Sequence, residues 1–227
     1  MKKFTNLLLA SLFVISLSAQ TRSLSNFNEI GVSGSITATL VKSNETKIDI
    51  KMIKGDEESL ITEVEDGKLT VKFKKGLMNW NNNKKAEVTI YYKNLDEIDA
   101  SAGCSVSSEE VVSGNSLDLD VSSGASVRLE VEGEMVDVDA SSGATVTVKG
   151  SSERADIDAS SGASVNAQYL EANHTSADVS SGASISCVAH KSIEAEASSG
   201  GSIKYKGDPA QKNIDVGKYS GGSVSRM

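Results

Sequence analysis

Aromatic residues are scarce in this chain, at 4% of 227 residues, and Pro209 is the single proline. A core built on large rings is therefore excluded, and so is a proline-rich rod or linker. There are only two cysteines, Cys104 and Cys187, and two histidines, His174 and His190. That is too few for a disulfide scaffold, and no Cys/His spacing suits a zinc module. No phosphate-cradling glycine loop and no Gly-x-Ser-x-Gly elbow occurs. Positive charge is missing from one long stretch. Residues 96–205 hold five Lys or Arg against nineteen Asp or Glu, whereas 20–95 hold twelve against ten. Nucleic acid and anionic membrane surfaces are therefore poor partners for 96–205, while cations and basic surfaces suit it.

Long apolar runs are also absent, except at the start. Lys2 and Lys3 precede Leu7-Leu8-Leu9-Ala10, and the apolar run ends at Leu17-Ser18-Ala19. This reads as a secretory signal over residues 1–19, cleaved after Ala19 and too short to span a membrane. No cysteine lies near that site, so neither a lipid anchor nor membrane insertion is expected. The mature chain is expected to be exported to the periplasm or the cell surface. Loss of Lys2 and Lys3 takes its formal charge from −8 to −10.

What the chain does have is a repeated phrase. Asp137–Val146 reads D-V-D-A-S-S-G-A-T-V, with close copies at Asp118–Val127 and Asp156–Val165. Looser copies occupy Ser176–Ile185, Glu194–Ile203 and Asp215–Val224, and an early one Glu97–Val106. The glycines Gly103, Gly124, Gly143, Gly162, Gly182, Gly200 and Gly221 are separated by 21, 19, 19, 20, 18 and 21 residues. A period near twenty, sustained over half the chain, is the signature of a solenoid.

Columns within the repeat show which way each residue faces. Five residues before each glycine stand Ile98, Leu119, Val138, Ile157, Ala177, Ala195 and Val216. Three after it stand Val106, Val127, Val146, Val165, Ile185, Ile203 and Val224. Carboxylates flank the first column, as in Asp118 and Asp120, Asp137 and Asp139, or Asp156 and Asp158. Strict alternation points the aliphatics inward and the acids outward. Each repeat then supplies a strand before the Ser-Ser-Gly corner, one after it, and a third element in the variable remainder. The prediction is an all-β parallel β-helix over 96–227 with about twenty residues per coil. A β-rich portion over 20–95 precedes it within one continuous domain.

Cys104 and Cys187 lie four repeats apart, about 19 Å at roughly 4.8 Å per stacked strand. A disulfide needs Cα atoms within about 7 Å, so both are read as small core residues. In the N-terminal portion, alternation marks strands at Ile36–Leu40, Lys47–Ile53, Leu69–Phe73 and Glu87–Tyr91. Asp56–Val64 reads equally as a helical turn or a strand.

Two features are candidates for binding. Trp80, with Asn81, Asn82 and Asn83, stands in a predicted loop. It suits either sugar stacking and hydroxyl hydrogen bonding or a cap folded over the solenoid. The outward acidic columns, with Asp120, Asp139 and Asp158 as the central members, could bridge Ca2+ or form a solvated face. The Gly-Gly-x-Gly-x-Asp turns of calcium-binding β-rolls are absent. No other cofactor is expected. Each carboxylate belongs to a repeating column and none is singled out by an insertion, which argues against a glycosidase pair.

The entry phrase Phe27–Leu40 (F-N-E-I-G-V-S-G-S-I-T-A-T-L), the segment Val64–Val71 (V-E-D-G-K-L-T-V), and Val88–Tyr91 leading into Leu95–Ala100 resemble a known family. So do the serial S-S-G-A-S-V corners, which match best. The chain resembles the head GIN domain of putative auto-transporter adhesins, exported proteins found largely in Bacteroidetes. It departs at the naming motif, reading Gly34-Ser35-Ile36 where Gly-Ile-Asn is typical. The resemblance implies a right-handed β-helix and an adhesin role, and it supplies no catalytic residues. The first expectation is a non-enzymatic exported module binding glycan or an envelope or surface protein. The alternatives are a structural envelope protein assembling through β-helix faces and a polysaccharide lyase or hydrolase.

Overall fold

A computed structural model describes residues 20–74, 84–217 and 221–227. The signal segment and the loop carrying Trp80, Asn81, Asn82 and Asn83 lie outside the described residues. The described chain is all-β apart from one 3-10 turn at Glu57–Ser59, which leads directly into the strand Leu60–Glu65. The ambiguous stretch around residue 60 is thus a short turn followed by a strand.

Tandem copies stack as coils in parallel register. Ser116–Val121 pairs with residues 135–140 of the strand Ser126–Ala140, and these pair with 154–159 of Thr145–Ala159. The series continues through 174–179 of Ser164–Val179, then Ser192–Ala197 and Gln211–Val216. This forms one wall. A second wall follows the corner, with Ser105, Ser126, Thr145, Ser164, Ser184, Ser202 and Ser223 in register. A shorter third run closes each coil, where Glu130–Glu132 pairs with Val111–Ser113 and with Lys149–Ser151.

The corner is a tight turn that repeats with little variation. In Ser141-Ser142-Gly143-Ala144, Ser142 has φ 52° and Gly143 has φ 73°, and the Ala144 amide donates to the Ser141 carbonyl at 3.0 Å. Two successive positive φ values with an i to i+3 bond are the marks of a type I′ turn. The Gly143 amide in turn donates to the Ser161 carbonyl of the next coil at 3.1 Å. A Cβ on Gly143 would meet nothing within 4 Å, so glycine is needed here for its φ and not for close approach. Gly150, within the third run and in register with Val131, differs. It has φ 118°, and a Cβ there would lie 2.0 Å from the Val131 carbonyl oxygen.

Alternation carries directly into burial. Val136, Val138 and Ala140 are buried while Asp137 and Asp139 are not, and the same pattern holds in the neighbouring coils. Cys104 and Cys187 are free, buried thiols, and burial pushes the Cys187 thiol up to about 12. They sit in an apolar cluster that runs without a break from Phe27 to Tyr205.

The N-terminal portion joins the same stack out of sequence order. Glu29–Ser33 lies between Glu97–Ser101 and the later strand Lys68–Phe73. Ile36–Lys42 likewise lies between the coil at Ser105 and the strand Lys85–Tyr92. Lys47–Lys54 then pairs antiparallel with Lys85–Tyr92, Gln20–Ser23 pairs antiparallel with Lys47–Lys54, and Leu60–Glu65 pairs antiparallel with Lys68–Phe73. Antiparallel flaps thus close this end on both walls. Arg22 ties the flaps together, donating to Thr62 Oγ1 at 2.8 Å and to Glu57 Oε1 at 2.7 Å.

Candidate functional site

The outward face of the first wall carries two carboxylate rows. One runs Asp99, Asp120, Asp139, Asp158, Asp178, Glu196 and Asp215, each in register with the next. The other runs Glu97, Asp118, Asp137 and Asp156, is broken by Ser176, resumes at Glu194 and ends at Asn213. Asp120, Asp139 and Asp158 therefore stand one above another on adjacent coils. Like charges at that spacing repel, each pair costing a few tenths of a kcal/mol to about 1 kcal/mol.

The strain shows in proton affinity. Partial burial, reinforced by Asp156, Asp178, Asp139 and Asp137, pushes the Asp158 carboxyl up to about 6. Asp118, Asp120 and Asp137 are raised for the same reasons, burial first and neighbouring carboxylates second. Among the described residues, the cation paired with these rows is Lys68, at the first rung. Lys68 donates to Glu97 at 2.7 Å and also pairs with Asp99, and these two hydrogen bonds hold its ammonium well above the usual lysine range. Its side chain reaches Asp99 by crossing Gly31, whose missing Cβ would stand 3.6 Å from Lys68 Cε. Among the described residues, no group of three or more His, Cys, Asp or Glu side chains is arranged to hold a metal ion.

At the break in the second row the wall is hollowed. A groove of about 520 Å³ runs over five coils from Met135 to Gln211. The short outward side chains of Ser176 and Ser192 leave the depth, above the core-facing Ala155, Thr175 and Ile193. Asp156 and Glu194 stand on either side of Ser176, and Arg154, His174 and Lys212 rim the strand starts. Arg154 is exposed and makes no side-chain hydrogen bond or ion pair among the described residues. Lys212 is held by Asp208 at 3.0 Å.

One constellation in the groove has the residue types of a nucleophilic site. Ser192 Oγ lies 2.7 Å from His174 Nδ1, and His174 Nε2 lies 3.7 Å from Glu153 Oε1. The second distance is not a hydrogen bond. Glu153 is committed elsewhere, accepting from Asn173 at 2.5 Å and from Lys191 at 3.2 Å. The base therefore lacks the orienting partner that such chemistry requires. Arg154, His174 and Ser192 do not stand out in the sequence, because each is an ordinary residue of a variable column. The one available signal was Ser176, the single non-acidic residue between Asp156 and Glu194 in its row.

The model of one protein family, described as "Putative auto-transporter adhesin, head GIN domain", matches residues 26–209. The chain belongs to this family. The head GIN domain fold also appears in solved structures. A putative adhesin from Bacteroides fragilis NCTC 9343 is similar at 22% identity and a TM-score of 0.84, covering 94% of this chain and 98% of that one. A putative adhesin from Parabacteroides distasonis ATCC 8503 is similar at 21% identity and a TM-score of 0.73, covering 93% and 97%. A protein of the same strain described as a putative lipid binding protein is similar at 19% identity and a TM-score of 0.67, covering 92% and 96%. No curated protein matches the chain. Among the described residues, no helix is long and apolar enough to cross a membrane.

Proposed function

We propose that this head GIN domain protein is an exported, non-enzymatic adhesion or binding module that presents its first wall to a glycan or a surface protein. The observation that carries this reading is the wall itself. It sets polar side chains in fixed rows on a rigid ladder, with an open groove where one row is broken. Such a surface is pre-organised, so binding loses little conformational entropy on the protein side. Export is supported by the residue pattern of the first nineteen positions and by the family. A lipid ligand has no such support, because the groove is rimmed by Arg154, Asp156, His174, Glu194 and Lys212 rather than by apolar side chains.

The test has two arms. Cell fractionation with N-terminal sequencing of the mature protein should place it outside the cytoplasm and starting at Gln20. Mature protein should then bind at least one member of a combined panel of glycans and purified extracellular-matrix and envelope proteins, and EDTA should leave this unchanged. A panel blank at protein concentrations of about 100 μM, with or without Ca2+, would sink the binding reading. Binding abolished by EDTA would move the site to the acidic rows around Asp120, Asp139 and Asp158.

A further inference from the structure

We infer that the groove around Ser176 is a binding site for a neutral oligosaccharide, laid along the solenoid axis; this deepens the adhesion reading and rests on it. Three observations converge. The first is shape. The groove crosses five coils, about 19 Å at the usual strand spacing, and each coil advances by about the length of one sugar ring. A chain of linked rings can therefore meet the same column of the wall once per coil.

The second observation is the donor and acceptor inventory. A sugar hydroxyl both donates and accepts, and vicinal pairs are best met by groups offering two aligned partners. Asp156 and Glu194 offer paired acceptors roughly 10 Å apart, two strand spacings, with only the short Ser176 side chain between them. Arg154 offers a guanidinium that nothing else among the described residues engages, on the same strand as Asp156. Asn213 donates to Glu194 Oε1 at 3.1 Å and so fixes that carboxylate, His174 adds its Nε2, and the thioether of Met135 supplies an apolar edge for ring C–H groups.

The third observation is charge. Uronic or sulfated sugars would have to enter a field set by nineteen acidic and five basic residues over 96–205. A basic peptide would suit that field in general, but not the place where Arg154 and Lys212 rim the wall and a carboxylate is missing. A neutral ligand is repelled by neither. The carboxylate omitted at Ser176 is the one whose side chain would fill the centre of the groove.

The experiment is calorimetry on the mature chain with neutral hexasaccharides of glucose, xylose and mannose, and with hexagalacturonate as the charged comparison. Ser176→Asp restores the broken row, Arg154→Ala removes the free guanidinium, and Arg128→Ala on the second wall is the control. Thermal melts confirm that each variant folds. The expected result is binding of at least one neutral hexamer, weakened about tenfold or more by Ser176→Asp and by Arg154→Ala and unchanged by Arg128→Ala. Neutral-hexamer binding that survives both groove substitutions would place the site elsewhere and overturn the inference while leaving the adhesion reading intact. Hexagalacturonate binding alone, or binding to proteins alone, would do the same. Failure of every glycan and protein probe would overturn both.

Discussion

The two ends of this solenoid are built on different terms. From Phe27 to Tyr92 the core consists of large side chains, with Ile30, Ile36, Leu40, Ile48, Ile50, Leu69, Ile90 and Tyr92 all fully buried, and antiparallel flaps close the end. From Ala140 to Ala197 the interior is largely Ala and Val, and each coil is fixed by backbone ladders and by the corner turn. In the first region side-chain volume specifies the packing, and a lost side chain leaves a cavity. In the second, little volume is available to lose, and stability depends on backbone geometry at a few bends. The same apolar cluster thus answers to side-chain mutations at one end and to backbone mutations at the other.

That contrast can be broken by experiment. The largest effect is expected from Ile90→Ala, which removes a fully buried side chain beneath the flaps and should cost about 4 kcal/mol by denaturant unfolding. Ala159→Gly in the repeat core should cost about 1 kcal/mol, and a much larger value would show that side-chain volume governs the thin core as well. Gly150→Ala should rival the first substitution at about 3 kcal/mol or more, because its Cβ would collide with the Val131 carbonyl. Gly143→Ala has open space and only the positive φ to resist it, so about 1–2 kcal/mol is expected. An equal loss at Gly143 and Gly150 would mean that φ, not close approach, governs both positions.

Arg22→Ala should loosen the two flaps from each other and cost about 1–2 kcal/mol. Native-state hydrogen exchange would show faster opening of Gln20–Ser23 and Leu60–Glu65, with the coils beyond Ser116 unaffected.

The smallest effect concerns pH, and its sign differs between the regions. Asp158 has a folded value of about 6 against about 3.9 when unfolded. Its stabilising contribution is therefore fully present below about pH 3.9 and is lost as pH rises through about 6. Glu87 in the N-terminal portion is lowered by its hydrogen bond to Lys51, so its contribution is present above the unfolded value and is lost on acidification. Lowering the pH from 7 to 5 should raise hydrogen-exchange protection factors, corrected for the slower intrinsic exchange at pH 5, in the first wall of the repeat and leave those of the strand Lys85–Tyr92 unimproved. Asp158→Asn should stabilise the protein at pH 7 and flatten that pH response. A repeat wall that loosens between pH 7 and 5 would contradict the account of the acidic rows.

Much of this architecture was legible before any coordinates. Repetition is self-referential: Val138 recurs as Ile157 and Ala177, so the pairing partner of each strand is its own next copy, and register follows from counting. Alternation then assigns inside and outside, and the acidic rows, including the column of Asp120, Asp139 and Asp158, follow without a fold. The N-terminal portion lacks that property. Ile36–Leu40, Leu69–Phe73 and Glu87–Tyr91 all alternate in the same way, and nothing local says which lies beside which.

The sequence by itself determined the coil period, the inward and outward columns, the Ser-Ser-Gly corner and the excess of acid on one wall. Each of these depends on residues close together in the chain or related by a fixed repeat. Only the tertiary structure decided that Lys68–Phe73 stacks beyond Glu29–Ser33 and Lys85–Tyr92 beyond Ile36–Lys42, and that Lys68 crosses Gly31 to reach Glu97 and Asp99. It alone showed that Arg154, Asp156, Ser176 and Glu194, on successive coils, enclose one groove. Those outcomes depend on pairing between distant segments, where strand edges of equal propensity compete and packing of the whole stack selects one order.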